Sequence, residues 1–303
     1  MSTSQGTHQG LAQAAAPAAG ADARGAAQGY RPGRTLVLRV EVARQLRRRR
    51  TQLALGFLVL LPFLLAAAFK LGSGSDSRGG APALVDLATS GAANFTLFTL
   101  FASTGFLLVV VIALFAGDTV ASEASWSSLR YLLAAPVPRS RLLRQKLVVA
   151  LGFSGFSLVL LPSVALLVGW AVFGWAPVRS PFGASLTTAQ ALVRLGVIVG
   201  YLAVVMLFVA ALAFTLGVYT DAPLGAVGGG VLLVIVSNIL DAVTALGSAR
   251  NLLPTHYQYS WTDALAPSIA WGEMARGALY SVGYSAVLLL LAWRHFLRKD
   301  IVS

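Results

Sequence analysis

Apolar residues run through this chain in six long blocks, near 52–70, 94–117, 147–174, 190–217, 223–246 and 276–297, with shorter polar stretches between them. Each block is close to the ~20 residues that an α-helix needs to cross a bilayer. The expected fold class is therefore all-α, an integral membrane protein with six transmembrane helices. The first block is short and holds Pro62. The third is longer than a crossing requires and holds Pro162, so tilting or kinking is expected there.

Ahead of the blocks, residues 1–33 are rich in Ala, Gly and Gln and poor in large apolar groups. They bury too little to offset ordering entropy, which predicts a disordered tail followed by one six-span domain over 34–303. The tail has no apolar core after a charged start, so it does not read as a secretory signal. "RTLVLRVEVARQLRRRR", residues 34–50, has mixed periodicity. Residues 38–42 alternate as a strand would, while Leu36, Val40, Ala43 and Leu46 share a helical face. A helix lying on the inner leaflet is expected, with Arg47 to Arg50 at the lipid headgroups. The plainer alternative is a basic flank that only sets topology.

Composition narrows the function classes. The chain is 57% hydrophobic and only 11% charged, against about 25% charged in a soluble domain. It holds no cysteine, which excludes disulfides, thiolate metal sites and cysteine nucleophiles. The net charge of +12 comes with no nucleic-acid recognition motif, and basic residues collect on the cytoplasmic side of membrane proteins. Of the 23 Lys and Arg residues, 17 lie in the N-terminal segment, the 118–146 loop and the C-terminus. That imbalance predicts both termini in the cytoplasm of a multi-pass cell-membrane protein. The loop at 247–275, with Tyr257, Tyr259, Trp261 and Trp271, is then external, its aromatics suited to the outer interface.

Few motifs carry chemistry. No G-x-x-x-x-G-K-[ST] occurs, so the chain has no phosphate-cradling loop of its own. "GFSG", Gly152 to Gly155, matches the short nucleophile motif of rhomboid proteases, but the one spanning histidine, His295, falls at the cytoplasmic end of the sixth block. Close helix packing explains the small residues better. Gly196 with Gly200, and Gly225 with Gly229, have the spacing that lets helix backbones approach, within the chain or at a dimer seam. Polar residues inside the blocks form two groups, Thr96, Thr99 and Ser103 in the second and Ser237, Asn238 and Asp241 in the fifth. Both fall in the outer half, and Thr96, Thr99, Ser103, Asn238 and Asp241 are candidates for a substrate path. An intramembrane carboxylate is costly and a functional candidate by default. Asp241 is either wet or paired with Arg194. Phe95, Phe98 and Phe101 beside the threonines suit an apolar cargo or simply lipid.

The loop "GDTVASEASWSSLRYLLAAPVPRSRLLRQK", 117–146, is unlike a plain connector. A helix is expected from Asp118 to Ala134. Trp126, Leu129 and Leu133 fall on one face, with Glu123, Ser127 and Arg130 on the next. Pro136 and Pro138 stop it. An apolar face beyond the headgroups calls for a partner.

This loop resembles the cytoplasmic loop of permease subunits of the type-2 ATP-binding-cassette (ABC) export family. The shared features are Glu123, the small pair Ser127–Ser128, Leu132–Leu133, Pro136, Arg139 with Leu142, and Lys146. That family often has Gly-Thr where this chain has Ser127–Ser128. The ending "LAWRHFLRKDI", 291–301, and "LLPTHYQYSWTDAL" are also similar to the family's last span and external loop. The resemblance implies a permease subunit of an ABC exporter that moves a small apolar or amphipathic substrate. It pairs with a second permease in a homo- or heterodimer, within the lipid bilayer, and with a separate ABC ATPase subunit that holds ATP and Mg. The chain itself would be a transport subunit, not an enzyme, with no catalytic residue, metal or cofactor of its own. Residues 34–50 would be a connecting helix along the membrane. The stretch 119–134 would be a coupling helix seated on the ATPase through Glu123, Trp126, Leu129, Arg130 and Leu133. Two alternatives are an ion-gradient-driven transporter, against which stands the lack of charge in the central part of any span, and a membrane scaffold without transport activity.

Overall fold

The computed structural model describes residues 38–72, 82–125, 139–179, 185–220 and 222–298. In chain order they form α1 (Leu38–Leu46), α2 (Arg49–Gly72), α3 (Pro82–Thr89), α4 (Ala92–Thr104), α5 (Leu107–Ser125) and α6 (Arg139–Phe173). A two-residue antiparallel pair follows, β1 (Val178–Arg179) and β2 (Ser185–Leu186), then α7 (Thr188–Thr220) and α8 (Pro223–Ala242). Two 3-10 segments, Thr244–Leu252 and Ser260–Leu265, lead into α9 (Trp271–Arg298). The N-terminal tail, the segment 126–138 and the last five residues lie outside the described residues.

The protein is an all-α membrane protein. Five helices, α2, α6, α7, α8 and α9, are long and apolar enough to span a bilayer, and α4 with α5 makes a sixth crossing if that bent pair is one span. The second block thus differs from the continuous helix its pattern predicts. It breaks at Gly105 and Phe106, and its halves meet at 59°. The cause is tertiary. The Tyr259 hydroxyl lies where a side chain on residue 105 would sit, so a larger residue there would have to displace it. At the break the Thr104 carbonyl accepts a bond from the Gln258 side-chain amide at 2.6 Å. A freed backbone carbonyl that finds such a partner no longer opposes a break within apolar surroundings.

α7 is the centre of the bundle. Its apolar stretch is 67% buried inside the protein, against 17% for α2, and it packs on α5, α8 and α9. The main core joins Leu58 of α2, Leu108, Ile112 and Phe115 of α5, Phe153 of α6, and Leu202, Met206 and Phe214 of α7. α5 and α7 approach through glycine. A Cβ on Gly217 would stand 2.6 Å from the Gly117 carbonyl oxygen. By contrast a Cβ added to Gly196 or Gly200, on the same helix, would meet no described residue within 4 Å outside its own helix backbone. Among the described residues their spacing is not used for packing.

The remaining elements gather at two ends. Asn94 of α4 donates to the Arg179 carbonyl and accepts from the Arg179 N–H, fixing β1 against α4. The 243–270 segment closes over the same end. Tyr201 of α7 donates to the Tyr257 carbonyl, Tyr284 of α9 to the Leu252 carbonyl, and Arg194 of α7 to the carbonyls of Ala264, Ala266 and Pro267. Tyr257 and Trp261 are therefore buried within the protein and do not serve an aromatic belt, whereas Trp271 is exposed. Within this cap burial pushes the Tyr257 and Tyr259 phenols up. It also pushes the Asp263 carboxyl up, with added repulsion from Glu273.

The glycine contacts give a direct check. Gly217→Val forces a side chain into the α5 backbone and should lower stability by about 1–3 kcal/mol, the usual cost of overpacking. Gly200→Val should leave the unfolding temperature unchanged. Thermal unfolding of the two purified proteins in detergent separates these outcomes.

Candidate functional site

Opposite the cap, four helix ends meet through charge. On α1, Glu41 and Gln45 are one turn apart and both buried, so this helix turns its polar side toward the protein. Glu41 accepts from the Lys146 ammonium at 2.7 Å, and their side chains are only 9% and 4% exposed. Arg44 donates to the other Glu41 oxygen at 2.6 Å. Lys146 belongs to the first turns of α6, so this pair fastens α1 to the helix that leaves the 126–138 segment. A second cluster fastens the helix that enters it. Asp118 of α5 is buried and accepts from Arg48 at 3.0 Å and from Arg50 at 2.8 Å, while Arg48 also reaches the Ser122 hydroxyl at 3.0 Å. At the same end Tyr219 of α7 stacks on His295 of α9, centroids 4.0 Å apart.

The electrostatics follow from burial. Desolvation alone pushes the Glu41 carboxyl up, but Lys146 and Arg44 outweigh it and hold the carboxyl below its ordinary value of 4.5. A buried charge without its partner is expensive, so the two clusters hold the helix ends in a fixed arrangement. Chemically the arrangement carries no nucleophile beside a base. Among the described residues no group of three or more His, Cys, Asp or Glu side chains stands ready for a metal. The two clusters tie both flanks of 126–138 to α1 and to the first turns of α2.

Several expected residues lie differently. α5 runs without interruption through Ser125, so the first part of the expected 119–134 helix is the end of the second span. No breaker follows Gly117, and the two arginines neutralise Asp118, which lets the helix continue. Glu123 lies in this last turn, its side chain outside the described residues, and Trp126, Leu129, Arg130, Leu133, Pro136 and Pro138 also lie outside them. Arg48 and Arg50 turn to Asp118 and not to headgroups alone. Thr96, Thr99 and Ser103 are buried, each donating to the carbonyl four residues earlier. Such bonds satisfy hydroxyls within the helix, and these three face protein, not open space. Asn238 is half-buried on α8. Asp241 is joined not to Arg194 but to His256 at 2.5 Å, with Arg250 at 3.6 Å, because the cap draws Arg194 away. The two polar groups thus have separate partners. Ser154 of "GFSG" donates to the Ala150 carbonyl and His295 is stacked on Tyr219, so the two are not a catalytic pair.

The profile of the DUF2705 family, described as a protein of unknown function, matches residues 83–302. The chain belongs to the DUF2705 family. Comparison with curated proteins finds none that matches. The DUF2705 region begins inside α3, so it contains Asp118 and Lys146 but not Glu41, Arg48 or Arg50. The charged site joins the DUF2705 region to the helices that precede it. Sequence reasoning missed this site because the ion-pair partners that join different helices are separated by 68 to 105 positions. The available signal was the single buried-face acid, Glu41, within an otherwise basic segment.

Lys146→Met leaves the buried Glu41 carboxylate to the half-exposed Arg44 and should destabilise the protein by about 1–3 kcal/mol, the usual cost of losing a hydrogen bond to a charged group. Adding Glu41→Leu should restore most of that loss, as thermal unfolding would show. The pH dependence has a definite sign. Because the folded Glu41 value is depressed, its contribution is present above 4.5 and is lost as pH falls through the folded value. The acid-induced drop in unfolding temperature should be smaller in the Glu41→Leu, Lys146→Met double variant than in the wild type.

Proposed function

We propose that this chain is the permease subunit of an ABC exporter of the type-2 class. It moves a small apolar or amphipathic molecule across the cell membrane with ATP hydrolysed on a separate subunit. The observation that carries the reading is the charged site, where both helices flanking 126–138 are tied to α1 and α2. A machine driven from a partner needs force applied at one short segment to move several spans together. A soft loop would absorb it.

In this reading the charged end is cytoplasmic, along with both termini, in keeping with the concentration of basic residues there. α1 is the connecting helix. Residues 119–134 are the coupling helix, continuous with the end of α5, and Trp126, Leu129 and Leu133 enter a groove of the ATPase. Glu123 and Arg130 orient it. Burying three such side chains contributes roughly 1.5–3 kcal/mol each, before the ordering costs of association. A second permease completes the membrane part, and ATP with Mg stays on the ATPase pair.

The first test is whether a gene for a phosphate-loop ATPase lies beside this one; that ATPase is then co-expressed with the chain, and the pair is purified and assayed for hydrolysis. Trp126→Ala with Leu133→Ala should insert normally and lose ATPase association. Asp118→Asn should insert and associate, yet lose about tenfold of the cargo-stimulated rate, the equivalent of one charged contact. If the wild-type chain neither binds that ATPase nor alters its hydrolysis, the reading fails. Reporter fusions near residues 80, 183 and 260 should read external, and a fusion at 303 internal.

A further inference from the structure

The arginines around the first helix divide by what they touch. Arg44, Arg48 and Arg50 are engaged with the carboxylates of Glu41 and Asp118. Arg39, Arg47 and Arg49 are exposed, and their guanidinium groups make no ion pair or hydrogen bond among the described residues. The rest of α1 is ordered in rows, because residues four apart share a helix face. Glu41 and Gln45 form the buried row. Beside it run Leu38, Val42 and Leu46, which are 47%, 37% and 43% exposed. The next row is Arg39, Ala43 and Arg47, since the Arg47 N–H still bonds the Ala43 carbonyl in the helical pattern. An open apolar row is costly in water, and this one lies between the protein-facing row and a row of unpaired cations. Only Arg47 and Arg48 separate α1 from α2. That helix is apolar enough to cross a bilayer, and its Leu53 and Phe57 are exposed. α1 therefore sits at the level where α2 enters lipid.

We propose that α1 is a docking surface for anionic phospholipid of the adjoining leaflet. Arg39, Arg47 and Arg49 engage headgroup phosphates, and Leu38, Val42 and Leu46 enter the acyl region. Guanidinium groups suit phosphate because their planar fork can donate to two of its oxygens at once. The two exposed rows together select the occupant. A nucleic acid or inorganic phosphate would meet the arginines and leave the apolar row wet. A zwitterionic lipid would cover the apolar row, but its ammonium group sits beside its phosphate and is repelled by the guanidinium groups. A lipid of net negative charge meets both rows, as basic amphipathic helices do at anionic membrane surfaces. The inner side of α1 is tied to α6 by Glu41 and Lys146. The lipid thus holds the outer side of a helix already fixed on its inner side. This surface needs neither ATP nor a partner ATPase, so it stands apart from the transport reading.

The chain has no cysteine, so Val42→Cys gives the full-length protein a single attachment point for a bimane fluorophore. The labelled protein would be placed in nanodiscs of mixed phosphatidylcholine and phosphatidylglycerol. In one sample the phosphatidylglycerol carries bromine on an acyl chain, and in the other the same mole fraction of phosphatidylcholine does. Bromine quenches the fluorophore on contact, so the two samples give the lipid preference at α1. Stronger quenching by brominated phosphatidylglycerol is the expected result. Arg39→Gln and Arg47→Gln should each lower the preference by about fivefold, the usual worth of one basic residue near an anionic surface. With both changed, the two lipids should quench nearly alike, since the apolar row still reaches the acyl chains. Arg39→Lys with Arg47→Lys should keep most of the preference. A fluorophore at Leu232→Cys, on the exposed face of α8, should be quenched equally by both lipids in every variant, which also reports that the protein is folded. The proposal is overturned if brominated phosphatidylglycerol quenches the Val42→Cys probe no more than brominated phosphatidylcholine does. It is overturned too if neither lipid quenches that probe, which would place α1 against water or a protein partner. Survival of the full preference in a folded protein carrying both glutamines would likewise remove the arginines from the site.

Discussion

A charge taken out of water must be met by another charge, and this rule governs how the ends of the helices are arranged. Glu41 and Lys146 are both buried, 105 positions apart in the chain. Neither could be there alone, since each ion loses several kcal/mol of hydration that only a close partner returns. Asp118 imposes the same condition on Arg48 and Arg50. Together the two clusters fix α1 against α6 and the start of α2 against α5. The helices between them could otherwise slide along apolar faces, because contacts between apolar side chains carry little directional information. The ion pairs supply the register.

At the other end the same problem, polar groups in an apolar setting, is solved with neutral bonds. The break between α4 and α5 frees backbone that a continuous helix would have paired. Gln258 meets one of those carbonyls, and the hydroxyl of Tyr259 fills the place beside Gly105. The cap and the break therefore depend on each other. Arg194 adds three carbonyl contacts along the same segment, a use of a guanidinium fork that a lysine could not reproduce. One consequence is a mainly apolar cavity between α3, α4, β1 and the Ser260–Leu265 segment. Trp261 and Arg179 are brought to it by elements far apart in sequence, the cap and the β pair.

Helix packing links the two ends. α7 crosses α5 where Gly217 meets Gly117, one residue before Asp118. This tight approach of two central helices thus lies beside the ion cluster that ties α5 to α2. A shift of the α5 end at the charged site cannot leave α7 in place, since the backbones are already in contact. Packed interiors transmit such displacements with little loss.

Block length and hydropathy by themselves determined that this is an all-α membrane protein, because the bilayer imposes a length on any apolar helix; they predicted six crossings, and the structure has five such helices, or six if the bent α4–α5 pair is one span. Each apolar block became helix over most of its length, and the polar character of α1 was visible in its arginines. What lay beyond the sequence was every pairing between distant residues. The kink at Gly105 required Tyr259 and Gln258. The partner of Asp241 proved to be His256, since Arg194 is drawn to carbonyls that local pattern cannot foresee. Thr96, Thr99 and Ser103 were legible as a polar stripe, yet the same stripe is read equally well as a path or as hydroxyls bonded to their own helix. In the structure the three are buried and bonded to their own helix. Local periodicity records which face of a helix is apolar. It does not record what that face meets, and the meeting is what decides where charge can be buried.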